Sequence, residues 1–251
     1  MLFDNPLTLA VIVLAVVVVG LGKGGFAGLG ALATPLLALV LPAATAAALL
    51  LPILIVQDVI SVWNFRHDWD RWIIAWMLPG AIVGVALGWL YAATVDARAL
   101  MTALGVITFG FGAWRLWRGR GGRDITPSRS PGPIGSLFGV ATGFTSQIAH
   151  AGGPPFQMWV ASRQMAHVRF AATQAVLFAI INWVKLPAYI GLGALTRPVL
   201  LTAAALVPLA IASTFAGIWL IRRIETARFY VLIYWLMIAL GLRLTWVGLT
   251  G

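Results

Sequence analysis

Long apolar stretches separated by short polar segments run along most of the chain. The apolar runs, which carry almost no charged side chains, are residues 7–21, 43–56, 73–90, 99–114, 171–190, 199–221 and 229–242. A spanning helix needs about 20 apolar residues, so this pattern has room for six or more of them. The strict alternation of a membrane β-barrel is absent from the sequence. The pattern therefore predicts an all-α integral membrane protein.

The composition agrees with a membrane protein and changes how the charge is interpreted. The chain is 61% hydrophobic and 10% charged, whereas soluble domains carry about 25% charged residues. The net charge of +10 would suggest nucleic acid in a soluble protein, but in a membrane protein it marks cytoplasmic loops and anionic headgroups. We therefore exclude a nucleic-acid partner. The absence of cysteine excludes disulfides and thiolate metal sites.

Two segments of the chain resemble each other and predict an internal repeat. The sequence PGAIVGVALGWL (79–90) matches PLAIASTFAGIW (208–219) at a spacing of 129 residues. Further upstream, Pro35 aligns with Pro154 and Asn64 with Asn182 at shorter spacings. A segment rich in Arg, Gly and Pro lies between the two parts. We expect a first repeat at 1–117, a cytoplasmic linker at 118–133 and a second repeat at 134–251.

The positions of the arginines predict how the chain crosses the membrane. Four groups, at 66–71, 115–129, 163–169 and 222–228, contain most of the basic residues, and cytoplasmic loops are enriched in them. If all four groups are cytoplasmic, residues 134–160 must enter and leave on that side. This stretch is too short for two spans. We therefore expect a re-entrant hairpin of two half-helices that meet near the midplane, followed by three crossings.

The first half follows the same plan in the opposite orientation. Residues 7–41 form a hairpin broken at 22–25, and three crossings follow, at 43–65, 72–93 and 99–114. An odd number of crossings per half makes the repeats inverted, which is typical of secondary transporters. Both termini are then periplasmic. The alternative is that each hairpin is a single kinked span, which would move Arg163 and Arg169 to the outside.

The hairpin breaks carry residue types that suit a ligand site inside a membrane. In SQIAHAGGPP (146–155), two glycines allow close approach of a ligand, and Pro154 fits the first turn of a new half-helix. The start of a helix supplies free N–H groups and a partial positive charge. In the first half, Thr34 is expected to cap a similar half-helix at Pro35. Close helix packing by glycine is the alternative explanation.

Polar residues on two spanning helices extend the candidate site. Gln57, Ser61 and Asn64 share one helical face, and so do Gln174, Asn182 and Lys185. Such amides either donate to a bound ligand or bond between helices. The candidate substrate-binding residues are Lys23, Gly24, Gly25, Thr34, Gln57, Asn64, Ser146, Gln147, His150, Gly152, Gly153, Gln174, Asn182 and Lys185.

Asp58 is the one acidic residue deep in an apolar run. It is a candidate for carrying a coupling proton, and it could instead pair with Lys23 or an arginine. Lys23 lies in the first hairpin break, where a cation is functional by default. Lys185 lies closer to a helix end, so snorkelling to the interface is as plausible as contact with a ligand.

Three motifs resemble those of one known family. They are GLGKGGFAGLGALATP (20–35), GFTSQIAHAGGPP (143–155) and NWVKLPAY (182–189), and together they extend over both halves. The chain is thus similar to the TauE/SafE sulfite-exporter family. The resemblance implies transport, mainly export, of sulfite, organosulfonates such as sulfoacetate and related small anions across a bacterial inner membrane. The expected partners are a small anionic substrate, the bilayer and, as a further candidate, a second copy of the chain.

Other function classes fit the sequence less well. An enzyme using Ser146 and His150 would lack the Gly-x-Ser-x-Gly elbow and a carboxylate to orient the histidine. A metal site would need more ligands than one histidine. A lipid-phosphate flippase needs several arginines at membrane depth, whereas these arginines map to loops and span ends. An anion channel stays as a further alternative. No nucleotide-binding loop occurs, so an ion gradient, the substrate gradient or a partner must drive transport. No cofactor is expected.

Overall fold

The computed structural model describes residues 5–26, 29–37, 39–91, 94, 96–119, 127 and 129–250. The central part of the predicted linker, 120–126 and 128, lies outside the described residues. In the described part, the elements are helical. They are α1 (Pro6–Lys23), a 3-10 helix (Leu29–Leu32), α2 (Ala33–Leu37), α3 (Ala43–Phe65), α4 (Arg71–Tyr91), α5 (Ala97–Gly119), α6 (Gly132–Ala149), α7 (Gly153–Ala161), α8 (His167–Gly191), α9 (Arg197–Ile221) and α10 (Thr226–Thr250).

The order of elements is the same in both halves: a long helix, a short helix and three long helices. Seven of the described helices are long and apolar enough to cross a bilayer, namely α1, α3, α4, α5, α8, α9 and α10. The protein is therefore an all-α, multi-pass membrane protein, as the sequence predicts. Lipid offers no hydrogen bonds, so helices satisfy the backbone within each span.

Each half begins, as predicted, with two helices separated by a chain break, but the two helices of each pair are unequal. α1 ends at Lys23 and α6 ends at Ala149, so both chain breaks fall where glycines predict them. However, α1 and α6 have 18 residues each, about 27 Å of helix, whereas α7 has 9 and α2 has 5. The expectation of two half-helices in each hairpin is wrong, because nothing in the apolar runs before the breaks stops the first helix.

Glycines bring several helices into backbone contact. A Cβ atom at Gly84 of α4 would lie 2.1 Å from the carbonyl oxygen of Val140 on α6, and one at Gly24, which directly follows α1, would lie 2.5 Å from Gly217 on α9. Because lipid tails are as apolar as the helices, the hydrophobic effect does not bring helices together in a bilayer, and close packing of this kind is a main cause of helix association. The residue numbers of both partners rise together along α4 and α6, and along α1 and α9, so the helices of each pair are parallel.

α5 and α10 pack along their length in the opposite sense. Gly105 of α5 faces Gly241 and Thr245 of α10, and Gly112 faces Tyr234. The two helices are therefore antiparallel. If the two halves are exchanged, α1 against α9 becomes α6 against α4, and α5 against α10 is unchanged. The packing thus has the form of a pseudo-twofold arrangement.

Most arginines lie at one end of the helix bundle, which we term the arginine end. Arg169 pairs with Asp70 at 3.0 Å, and Arg222 donates to the Asn64 carbonyl oxygen at 3.1 Å, so the end of α3 and the starts of α4 and α8 meet here. Arg115 departs from the sequence-based expectation. It lies near the end of α5, where the sequence places it, but it is only 5% exposed and does not face water. The arginine end comprises Arg66, Arg71, Arg118, Arg163, Arg169, Arg222, Arg223 and Arg228.

Candidate functional site

The hairpin tips, α3 and α8 line a partly open cavity of about 70 Å³. Its wall is mixed: Val19, Leu50, Leu54 and Phe178 form the apolar part, and glycines and polar side chains form the rest. The sequence-predicted residues that line it are Lys23, Thr34, Ser146, His150, Gly153, Gln174, Asn182 and Lys185. The cavity therefore brings together residues from both hairpins and from two long helices, α3 and α8.

Lys185 is a fully buried cation in this wall. Its Nζ donates to the carbonyl oxygen of Ser146 at 3.4 Å, to the Ser146 hydroxyl at 3.2 Å and to Nδ1 of His150 at 3.2 Å. No carboxylate of the described residues forms an ion pair with it. All three partners are neutral, and a buried charge without a counter-charge is costly. Lys185 is therefore the part of the site that most requires an anion.

His150 is held between two side chains of α8. An ammonium group has no acceptor, so Nδ1 of His150 must accept from Lys185 and Nε2 carries the proton. Nε2 then donates to the hydroxyl oxygen of Tyr189 at 3.0 Å. Lys185 and Tyr189 are four residues apart, on one helical face. Sequence analysis missed Tyr189, although its i+4 spacing from Lys185 was the signal that could have revealed it.

Lys23 is compensated within the protein. Its Nζ lies 2.5 Å from Oδ1 of Asp58, and Nδ2 of Asn182 donates to Oδ2 of the same carboxylate at 2.6 Å. Asp58 is 1% exposed and Lys23 11%. Of the two alternatives for Asp58, the structure shows the pairing with Lys23. The charges of Lys23, Lys185 and Asp58 add up to one positive charge at the cavity.

The ends of the two long hairpin helices are held in the same way. Ser61 of α3 donates to the Lys23 carbonyl oxygen at 3.0 Å, and Lys185 of α8 donates to that of Ser146. Ser61 and Lys185 are 124 residues apart, as are Asp58 and Asn182, which bond to each other. The pairing of Asn64 with Asn182 that the sequence suggested is therefore not the one the helices adopt.

The structure places the other six candidate residues outside the cavity wall. Gly24 and Gly25 pack against α9, at Gly217 and Ile221. The side chain of Gln147 packs against Gly88 of α4, and Asn64 donates to Ile60 of its own helix at 2.8 Å. The remaining two are Gly152, which lies against the Thr142 carbonyl oxygen, and Gln57, which is fully buried with no hydrogen-bond partner among the described residues.

Only one of the two expected half-helix starts fits an anion. α7 begins at Gly153 with prolines in its first turn, and Gly153 lines the cavity. In the first half, Thr34 is not the N-cap of its helix. It is the second residue of α2, which directly follows the 3-10 helix. A five-residue helix has little macrodipole. The hydroxyl of Thr34 has no hydrogen-bond partner in the described part of the chain, so it stays available at the cavity.

Comparison with known proteins agrees with the resemblance found in the motifs. The family model "Sulfite exporter TauE/SafE" matches residues 12–244 of the 251-residue chain. No curated protein and no solved structure matches the chain. In the described residues, no group of three or more His, Asp or Glu side chains could hold a metal ion. The match covers both hairpins and the cavity between them, and the chain therefore belongs to the TauE/SafE sulfite exporter family.

Proposed function

We propose that the protein is a secondary transporter that exports small sulfur-containing anions, such as sulfite or sulfoacetate-like organosulfonates, through the central cavity. Membership of the TauE/SafE family implies a membrane exporter of sulfite or a similar anion, and thus a transporter rather than an enzyme. The observation that carries the proposal is Lys185, a buried cation whose partners in the described structure are all neutral. A bound anion would supply the missing counter-charge.

The cavity wall offers donors suited to a compact oxyanion. Lys185 supplies charge, and Gln174, Asn182 and Thr34 supply neutral donors. The start of α7 adds the backbone N–H of Gly153, whereas Pro154 and Pro155, which follow it, have no N–H to donate. A cavity of about 70 Å³ holds on the order of two water molecules, a scale that suits a small oxyanion and not a lipid. The cavity thus disfavours the lipid-phosphate flippase.

The Lys23–Asp58 pair is proposed to couple the anion to a proton. With the pair closed, the site has one uncompensated positive charge, which suits a monoanion. A dianion such as sulfite would leave one negative charge in excess. A proton on Asp58 would release Lys23 and restore the balance. In this proposal Asp58 carries the coupling proton, and Asn182 holds its second oxygen in place.

The two halves are proposed to be inverted repeats that alternate access to the cavity. The antiparallel packing of α5 and α10, the last helices of the two halves, supports opposite orientations. Rocking of such repeats around a fixed site is the common mechanism in secondary transporters. The arginine end supports a cytoplasmic location of that face in a bacterial inner membrane, with both termini periplasmic.

Ligand-dependent thermal stability of the purified protein tests the proposal. A ligand that binds only the folded state raises the melting temperature. We expect sulfite, sulfoacetate or another sulfonate to stabilise the wild type more than carboxylate analogues do. Lys185→Gln keeps the donors but removes the charge. At about 4 Å and an effective dielectric constant of about 20, that charge is worth about 4 kcal/mol, so affinity should fall about 10²–10³-fold.

Gln147→Ala is the matched control, because Gln147 lies beside the same helix break and outside the cavity wall. It should change stability but not affinity. If no sulfur oxyanion or sulfonate stabilises the wild type, or if Lys185→Gln binds as tightly as the wild type, the proposed site is wrong. Uptake by liposomes preloaded with unlabelled anion separates a transporter from a channel, because only a transporter shows exchange faster than net flux.

A further inference from the structure

A second buried cation lies far from the central cavity, near the end of α5. The side chain of Arg115 is 5% exposed. Its Nε donates to the Tyr234 hydroxyl at 3.1 Å and its Nη2 to the Ala161 carbonyl oxygen at 3.3 Å. Nη1 has no hydrogen bond within the described part of the chain, and no described carboxylate pairs with the guanidinium. The cation therefore retains both an unused donor and an uncompensated charge.

Aromatic rings surround this guanidinium. The ring centroids of Phe111, Trp114 and Tyr234 lie 5.4–5.9 Å from its central carbon. Cation–π contacts stabilise a cation and orient it without neutralising it. Gln164 reinforces the arrangement, since its amide nitrogen donates to the Tyr234 hydroxyl at 2.7 Å. The guanidinium is thus held rigidly, with its charge still available to a ligand.

A groove of about 350 Å³ opens next to Arg115. Arg115 and Gln164 form its polar end, with Tyr230 and Tyr234 beside them. Its outer side is apolar and faces outward from the bundle: Val231 is 50% exposed and Trp235 is 51% exposed. A ligand that fits this groove needs an anionic group at one end and an apolar part at the other.

The position of the groove in the bundle indicates which ligand this is. Arg115 lies one turn before the end of α5, and Arg118, at the arginine end, follows on the next turn. A bilayer places its phosphates at the ends of spanning helices and its acyl chains along their sides, and basic pockets between spanning helices bind anionic headgroups. We propose that the groove binds one anionic phospholipid, whose phosphate contacts Arg115 while its acyl chains follow Val231 and Trp235.

The test compares lipids added to the full-length protein in a neutral detergent. Phosphatidylglycerol should raise the melting temperature by roughly 5–10 °C more than phosphatidylcholine, if it is present at about 100 times its Kd. Arg115→Gln should abolish the difference. Arg118→Gln is the matched control, because Arg118 is exposed and its guanidinium stacks only on Trp114 in the described structure. This variant should keep the phosphatidylglycerol preference.

A second variant guards against loss of folding in Arg115→Gln, because Arg115 also holds Ala161. Ala227 is exposed and lines the groove. Ala227→Phe should fill the groove while leaving every bond of Arg115 in place, and the phosphatidylglycerol preference should disappear. The proposal is overturned if the wild type does not distinguish the two lipids or if Ala227→Phe still does. If inorganic phosphate alone stabilises the protein as much as phosphatidylglycerol does, the ligand is a free anion and not a lipid, and the proposal is also overturned.

Discussion

Substitution of Asp58 should destabilise the protein through Lys23. Asp58→Asn keeps the shape of the side chain but leaves the Lys23 ammonium, 11% exposed, without its counter-charge. Breaking one partner of a buried pair costs about 3–5 kcal/mol. The bond from Asn182 to this side chain also loses its charged acceptor. For a chain of this size, 1 kcal/mol shifts the melting temperature by about 2–4 °C, so a decrease of about 6–20 °C is expected.

Removing both charges should restore most of this loss. The variant Lys23→Met/Asp58→Asn has no buried charge left at the pair, and replacement of an ion pair by neutral groups of similar volume is often tolerated. Thermal unfolding of the wild type, both single variants and the double variant, followed by tryptophan fluorescence in one detergent, gives the coupling energy. A double variant as unstable as the sum of the single ones would show that the pair is not coupled, and the reasoning would fail.

The same variant connects stability to the substrate. Asp58→Asn leaves Lys23 and Lys185 both uncompensated at one cavity. A dianion such as sulfite should therefore stabilise Asp58→Asn by a larger temperature shift than it does the wild type, and its binding should no longer release or take up a proton. The measurement is sulfite binding in buffers of different ionisation enthalpy. Proton exchange equal to that of the wild type would assign the coupling proton to another group.

Three further predictions concern the helix packing and the residues that hold the site in place. Gly84→Ala should destabilise the folded protein by about 1–3 kcal/mol, because the added Cβ would lie 2.1 Å from the Val140 carbonyl oxygen. Gly110→Ala is the control and should be neutral or stabilising, because a Cβ there has no described atom within 4 Å. Similar melting temperatures of the two variants would refute the close contact. Tyr189→Phe removes the hydroxyl that positions His150, and we expect about tenfold weaker anion binding by calorimetry with little change in stability. Ser61→Ala should lower the melting temperature by a few degrees, because the Lys23 carbonyl oxygen loses its hydrogen bond. The anion preference should not change. A change in anion preference with no change in melting temperature would contradict this structural role.

The spanning helices and the helix breaks were predictable because lipid imposes simple requirements. A long apolar run in a bilayer must be helical, and the run ends where glycines and prolines interrupt it. The predicted third element, Ala43–Phe65, has the bounds that the structure gives to α3. The unequal hairpin arms were not predictable, because the pattern shows where a helix stops but not how far its neighbours let it extend.

The candidate site could also be predicted only in part from the sequence. Residues on α8 could be assigned to one face from spacing alone, and Gln174, Asn182 and Lys185 line the cavity together. The packing partners of the glycines could not be predicted, because a glycine indicates that another element comes close but not which one. At Gly24 the element that comes close is helix α9. Arg115 was misplaced because a basic residue near a span end normally faces water, and only the aromatic pocket around it reveals an inward direction.

The differences between the two halves explain why a pseudo-symmetric fold can serve one anion. Asp58 and Asn182 occupy corresponding positions and face each other. Identical halves would place two carboxylates in contact, which repel, whereas an amide opposite a carboxylate forms a hydrogen bond. Likewise, Ser61 and Lys185 hold the ends of corresponding helices, but only one of them is charged. The first half therefore contributes a neutralised pair and the second an unpaired cation. In the proposed transport function, this imbalance, located where the two hairpins meet, would favour a ligand with one negative charge, which a symmetric arrangement would not do.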